Sequence, residues 1–233
     1  AVRSNDPMVL RQLFDAQQRL GELLFETKRP AQAESHALAA IRLAEAMAPR
    51  DPDHLEWRSQ LSFAYVLRGR LAFSREAYDE ALTSFSRAAE IQQQLMNREP
   101  DNDSFQTYLA FTLGWQGWCA RKLDRLEESG VYYQRSFDIY RSLVDRDQAS
   151  VSRAVDLCRA ESKLAVWHLS YKSPEHDNEA RGWLDKAKVQ IAELRLRSNS
   201  ADRHWDIDAL TKEIDANEQL VNQRAARRET PSP

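Results

Sequence analysis

The chain has 233 residues, 42% hydrophobic and 30% charged, with a formal net charge of −3. That composition describes a globular protein with no general basic field for nucleic acid, and no run of about eighteen apolar residues is present to cross a membrane. Only six glycines, eight prolines and two cysteines occur, so long helices are favoured and neither a disulfide scaffold nor a four-ligand zinc site is available. Two isolated cysteines fit a reducing compartment, and a cytoplasmic location is expected.

Residues 1–7 carry neither an initiator Met nor an apolar signal core. They read as a linker, in a fragment or processed product of a longer protein or in a chain cut there by choice. From residue 8 the sequence repeats itself. Leu13, Leu61, Leu109 and Leu157 follow one another at intervals of 48, and Gly21, Gly69, Gly117 and Ala165 keep the same step. Phe25 with Phe73, Trp57 with Phe105, and Pro52 with Pro100 share it. So do the series Ala33, Ala81, Ser129, the series Ala37, Phe85, Tyr133, and the series Ala40, Ala88, Ser136. The units run over about 8–50, 51–99, 100–148 and 149–200.

Each unit reads as two helices. In the second, Asp51-Pro52-Asp53 signals a helix start. Leu61, Tyr65, Leu67, Leu71 and Phe73 mark its first helix, and a break falls near Arg75-Glu76. Ala81, Leu82, Phe85, Ala88, Ala89, Ile91 and Leu95 then recur at helical spacing, and the helix stops before Glu99-Pro100. The fourth unit departs from the pattern. Its Ala180 and Ala187 sit three residues late, which places an insertion at Ser173–Asn178, in the turn between its helices. After Ser198-Asn199-Ser200 a final helix spans about 201–227, with Ile207, Leu210, Ile214 and Leu220 as the apolar face of a cap, and 228–233 form a tail.

The series Gly69, Ala81, Phe85, Ala88 resembles the tetratricopeptide signature of small and aromatic residues. It recurs as Gly117, Ser129, Tyr133, Ser136 and as Gly21, Ala33, Ala37, Ala40. Small residues let two helices approach closely, and the aromatic fills the gap to the next hairpin. The resemblance covers about residues 8–200. It implies an all-α fold, a right-handed α-solenoid of about four antiparallel hairpins with a C-terminal capping helix. The family's usual unit has 34 residues; the longer period here implies helices of about 20 residues, roughly 30 Å long. Such long-helix arrays look like bacterial tandem repeats, which often follow a kinase, protease or NTPase domain.

The resemblance also implies that the first helix of each pair lines a concave groove. The register then puts Asp15, Gln18, Glu22, Phe25 and Glu26 of unit one on that face. Unit two adds Phe63, Val66, Arg70, Phe73 and Ser74. Unit three adds Phe111, Gly114, Trp118, Arg121 and Lys122. Unit four adds Arg159, Ser162, Val166 and Leu169. The candidate peptide-binding residues are Phe63, Arg70, Phe73, Phe111, Trp118, Arg121, Lys122 and Arg159, because aromatic anchors beside arginine carry binding energy. The same apolar stripes also read as core, which apolar positions at helical spacing usually are. The surface grades from acidic to basic, fitting a protein or peptide partner with an acidic end. The family's clamp for a terminal carboxylate is missing, since Gln18 and Glu22 stand at its places in unit one.

His36, His54, His168, His176 and His204 have no metal-ligand spacing; His168 falls in a helix and His176 in a loop. Cys119 and Cys158 read as small core residues, on neighbouring first helices and staggered too far for a disulfide. No phosphate loop, nucleophile elbow or dinucleotide fingerprint occurs. The expected function is therefore a protein-binding scaffold, not an enzyme, with no cofactor or metal. The other reading is a structural or self-assembly arm that packs on an upstream effector domain and controls it.

Overall fold

The computed structural model describes residues 6–47, 55–197 and 204–229. Among them there are nine α-helices and no strand. In chain order they are α1 (Pro7–Glu26), α2 (Pro30–Met47), α3 (Leu55–Ser74), α4 (Tyr78–Arg98), α5 (Asp103–Lys122), α6 (Leu126–Arg146), α7 (Val151–Ser170), α8 (Pro174–Arg197) and α9 (His204–Glu229). The chain forms two compact units, residues 1–123 and 124–233. In each, helices adjacent in sequence pack on one another, which is the all-α solenoid class expected. The helix-start signal Asp51–Asp53 and the break at Ser198–Ser200 lie outside the described residues.

Local chemistry repeats with the sequence. Helices α1, α5 and α7 begin with side-chain caps: Asp6 accepts from the Met8 N–H at 2.9 Å, Asn102 from Ser104 at 3.1 Å and Ser150 from Arg153 at 3.4 Å. Such caps satisfy amides that the first helical turn leaves free. The second helices α4 and α6 start without a side-chain cap. A tight turn precedes each instead. Its central residue is left-handed in every hairpin: Lys28 (φ 58°), Glu76 (62°), Asp124 (59°) and Lys172 (57°). These four positions keep the 48-residue step. The first two turns close with the paired hydrogen bonds of a Schellman motif, Ala77 N–H to Ala72 O at 3.0 Å with Glu76 N–H to Phe73 O at 3.0 Å, and the equivalent pair at Arg29 and Lys28.

The first unit is built on small residues. Ala33, Ala37, Ala40 and Ala44 of α2, and Ala81 and Ala88 of α4, are fully buried. Gly69 lets α3 lie directly against Phe85: a Cβ there would stand 2.7–2.9 Å from three ring carbons. Phe85 itself has no exposed surface. These are the positions of the small–aromatic series read from sequence.

The second unit corrects three readings. The turn before α8 is no longer than the others, because Lys172 stays in step and Pro174 already opens the helix. There is therefore no insertion at Ser173–Asn178. In unbroken register the slot of Ala33, Ala81 and Ser129 falls to Asp177, which is buried. A carboxylate is tolerated there because α9 supplies cations: Arg224 at 3.0 Å from Oδ1 and Arg228 at 2.9 Å from Oδ2. Arg224 also donates to Leu169 O at 2.8 Å. His176 consequently lies in the first turn of α8 and not in a loop, with its Nδ1 3.1 Å from that of His168. Third, α9 buries Ile207, Leu210, Ile214 and Val221, while Leu220 is exposed. The buried stripe joins Leu184, Ile191 and Leu194 of α8 and Ala154, Val155 and Cys158 of α7 in one core. Helix α9 packs on both α8 and α7, as α3 packs on both α2 and α1. It thus occupies the place of the first helix of a further hairpin.

Candidate functional site: the face of α1, α3 and α5

The register predicts that one face of α1, α3 and α5 is shared, and in the first unit these helices line an open pocket of about 370 Å3. Helix α1 contributes Asp15, Gln18, Arg19 and Glu22; α3 contributes Phe63, Val66, Leu67 and Arg70; α5 contributes Tyr108. The Phe63 and Tyr108 rings meet edge to face at 4.6 Å. The Arg70 guanidinium sits 4.9 Å above the Phe25 ring, a contact that pins the arginine's stem and leaves its charge without a carboxylate. Gln18 donates to Glu22 at 3.2 Å, and the Gln18 carbonyl oxygen is buried with no donor.

Further along α3 and α5 lies an aromatic cluster. Phe73 touches Trp115 at 5.2 Å, Trp118 at 4.6 Å and Tyr78 at 5.2 Å. Trp115 stacks between Phe85 at 5.4 Å and Trp118 at 5.1 Å. Phe73 and Trp118 are half-buried, so each packs against the core and also reaches the surface. Phe111, 40% exposed, leans its edge on Trp115, and Tyr108 is 37% exposed. Lys122 stands 5.8 Å from the Tyr78 ring. The indole N–H of Trp118 and the Nε–H of Arg121 have no acceptor.

Charges flanking this face are paired: Arg11 with Glu56, Arg68 with Glu80 at 3.3 Å, and Arg75 with Glu34 and Glu80. Asp15, Arg19 and Glu22 of α1, Arg70 of α3, and Arg121 and Lys122 at the end of α5 take part in none of the ion pairs among the described residues.

Seven of the eight predicted residues therefore lie in the first unit, Phe63 and Arg70 in the pocket and Phe73, Phe111, Trp118, Arg121 and Lys122 in or beside the aromatic cluster. Arg159 lies in the second unit, on α7, 3.1 Å from Asp156. Of its neighbours in the predicted stripe, Ser162 and Leu169 are buried, Ser162 donating to Glu213 of α9 at 2.8 Å. Gly114 is likewise buried. Arg19, Leu67, Tyr108 and Trp115 were not foreseen. The run Tyr108, Phe111, Trp115, Trp118 has helical three-four-three spacing, and that signal finds two of them.

Cys119 and Cys158 are free and buried, and burial pushes both thiols upward, Cys119 to about 12. Thiols held protonated in this way are poor nucleophiles. No group of three or more His, Cys, Asp or Glu side chains gathers into a metal-ligating set among the described residues. Among the same residues, no helix is long and apolar enough to cross a membrane.

No protein-family model matches this sequence, and no curated protein matches it. Among solved structures, the chain is similar to BtubC (BKLC) from P. vanneervenii, with a TM-score of 0.55 at 18% identity, over 98% of this chain and 85% of that one. It is also similar to the apo form of RapI, with a TM-score of 0.53 at 12% identity, over 94% of this chain and 74% of that one. At such identities the likeness is one of fold: this chain has a helical-repeat fold.

Proposed function

We propose that this chain is a tetratricopeptide-like recognition module that binds a peptide segment of another protein on the α1/α3/α5 face and performs no catalysis. The observation that carries the reading is the pocket of about 370 Å3, whose walls combine aromatic rings with charged side chains that have no ion-pair partner. Exposed aromatics beside unpaired arginine are the composition of binding hot spots. Long helices joined by tight turns supply a rigid platform, so ordering on binding falls on the peptide alone.

Panning a displayed octapeptide library on the unmodified chain, and on a Phe63→Ala/Tyr108→Ala/Phe111→Ala variant, tests this. Peptides enriched on the first and lost on the second support the groove. Equal enrichment on both moves binding to another surface, and no enrichment on either counts against a peptide-binding role. These aromatics are half-exposed or exposed, and a circular-dichroism melt verifies that the variant folds.

A further inference from the structure

Resting on the reading above, we infer that the α1/α3/α5 face selects a peptide with charge polarity: a basic residue over α1, apolar or aromatic residues over α3, and an acidic residue over the end of α5. The argument is one of complementarity. On α1, Asp15 and Glu22 face the pocket as carboxylates with no cationic partner, and the buried Gln18 carbonyl beside them lacks a donor. Arg19 lines the pocket from the same helix without an ion-pair partner, but the carboxylates and the Gln18 carbonyl outnumber it, so the balance on that face of α1 is a need for a hydrogen-bond donor or a positive charge. At the C-terminal end of α5 the needs are reversed. Arg121 and Lys122 have no carboxylate within ion-pair distance, and the free N–H groups of Trp118 and Arg121 are donors without acceptors.

Elsewhere on this unit, arginines and glutamates satisfy one another across helices, as Arg75 does with Glu34 and Glu80. On this face the acids Asp15 and Glu22 share the pocket with Arg19 and Arg70, while the bases Arg121 and Lys122 stand at the far end of α5 with no acid paired to them, and Phe63, Tyr108, Phe73 and Trp118 lie between. That arrangement leaves both signs available to a ligand. It also disfavours a uniformly charged one: a polyanion meets Asp15 and Glu22, and a polycation meets Arg121 and Lys122. Two helix-to-helix steps of roughly 10 Å separate α1 from α5. An extended chain rises about 3.3 Å per residue, so the two charged residues of the ligand are about six positions apart.

The test reads the sequences of the octapeptides selected above, with two conservative variants added: Asp15→Asn/Glu22→Gln, and Arg121→Gln/Lys122→Gln. The expected result is enrichment of peptides with Lys or Arg at one end and Asp or Glu at the other. The first variant removes only the basic preference and the second only the acidic one, each weakening a selected peptide about 10-fold, the size of a single desolvated charge contact. Selected peptides without opposite charges, or with a pattern that neither variant changes, overturn the polarity while leaving the groove standing. A groove that enriches nothing overturns both. Displacement of a selected peptide by an octameric oligouridylate at equal concentration also overturns it, by showing that the face prefers a polyanion.

Discussion

Replacing Gly69 by Ala is the sharpest test of how the repeat is held together. In an exposed helix Ala is better than Gly by about 1 kcal/mol, so propensity alone forecasts a gain. The structure forecasts a loss. The new Cβ would stand 2.7, 2.8 and 2.9 Å from three carbons of the Phe85 ring, closer than real Cβ contacts come. The ring is fully buried and stacks on Trp115, which in turn stacks on Trp118, so it has no free side to move into. Overpacking of this kind costs about 1–3 kcal/mol, and after the propensity gain the net loss is about 1 kcal/mol. Gly182 is the internal control, because a Cβ there meets nothing within 4 Å and the propensity term acts alone. Gly182→Ala should therefore stabilise by up to about 1 kcal/mol. Urea unfolding of both variants measures the two shifts, which should have opposite signs. Phe85→Leu combined with Gly69→Ala should cost less than the sum of the single changes, since the shorter side chain vacates the space the methyl needs. If Gly69→Ala stabilises as much as Gly182→Ala, the close approach of α3 to Phe85 is wrong, and with it the physical reading of the repeat.

Three further outcomes follow from the same contacts. Buried Glu161 of α7 has its carboxyl pushed up from 4.5 to about 7 by desolvation, against the pull of Lys186, the Gln190 hydrogen bond and Arg141. Because the folded value is the higher one, this group's stabilisation is complete below about 4.5 and is lost as pH rises through about 7. Glu161→Gln should flatten that slope, matching the parent at pH ~4.5 and exceeding it at pH ~8 by on the order of 2 kcal/mol, read by hydrogen exchange in α7 and α8. Asp177→Asn weakens the hold of Arg224 and Arg228 on α8; with the arginines partly exposed, the loss is about 2 kcal/mol, seen as roughly 30-fold faster exchange of α9 amides. Unchanged exchange would show that apolar packing alone seats α9. Glu76→Gly relieves a left-handed residue at φ 62° and should raise the urea midpoint, by up to about 1 kcal/mol in stability.

Much of this protein was legible in its sequence because the information is local or periodic. Caps at Asp6, Asn102 and Ser150 act on amides two or three residues away. The series Gly69, Ala81, Phe85, Ala88 states where two helices must touch, and its recurrence at 48-residue intervals indicates the same contact in the first three units. Helix number, hairpin order and the face shared by α1, α3 and α5 follow from those rules. The aromatic positions of the candidate site came with them, since a register that places Phe63 also places Phe111.

Tertiary structure decided which partner each face meets. The series read through the fourth unit favoured alanines at the small-residue slot, so Asp177 looked like part of an insertion; only the arginines of α9, about fifty residues later, make a buried carboxylate acceptable there. Leu220 and Val221 are equally apolar neighbours, and the direction from which α7 and α8 approach α9 buries one and exposes the other. Phe73 and Trp118 are split between core and surface because Trp115 of α5 inserts between Trp118 and Phe85 of the preceding helix α4, a contact that the pattern of either helix alone does not state. A helix turns about 100° per residue, so its own pattern defines an apolar stripe only to within a residue or two. The neighbouring helix sets the phase, and that choice is made by packing across the fold.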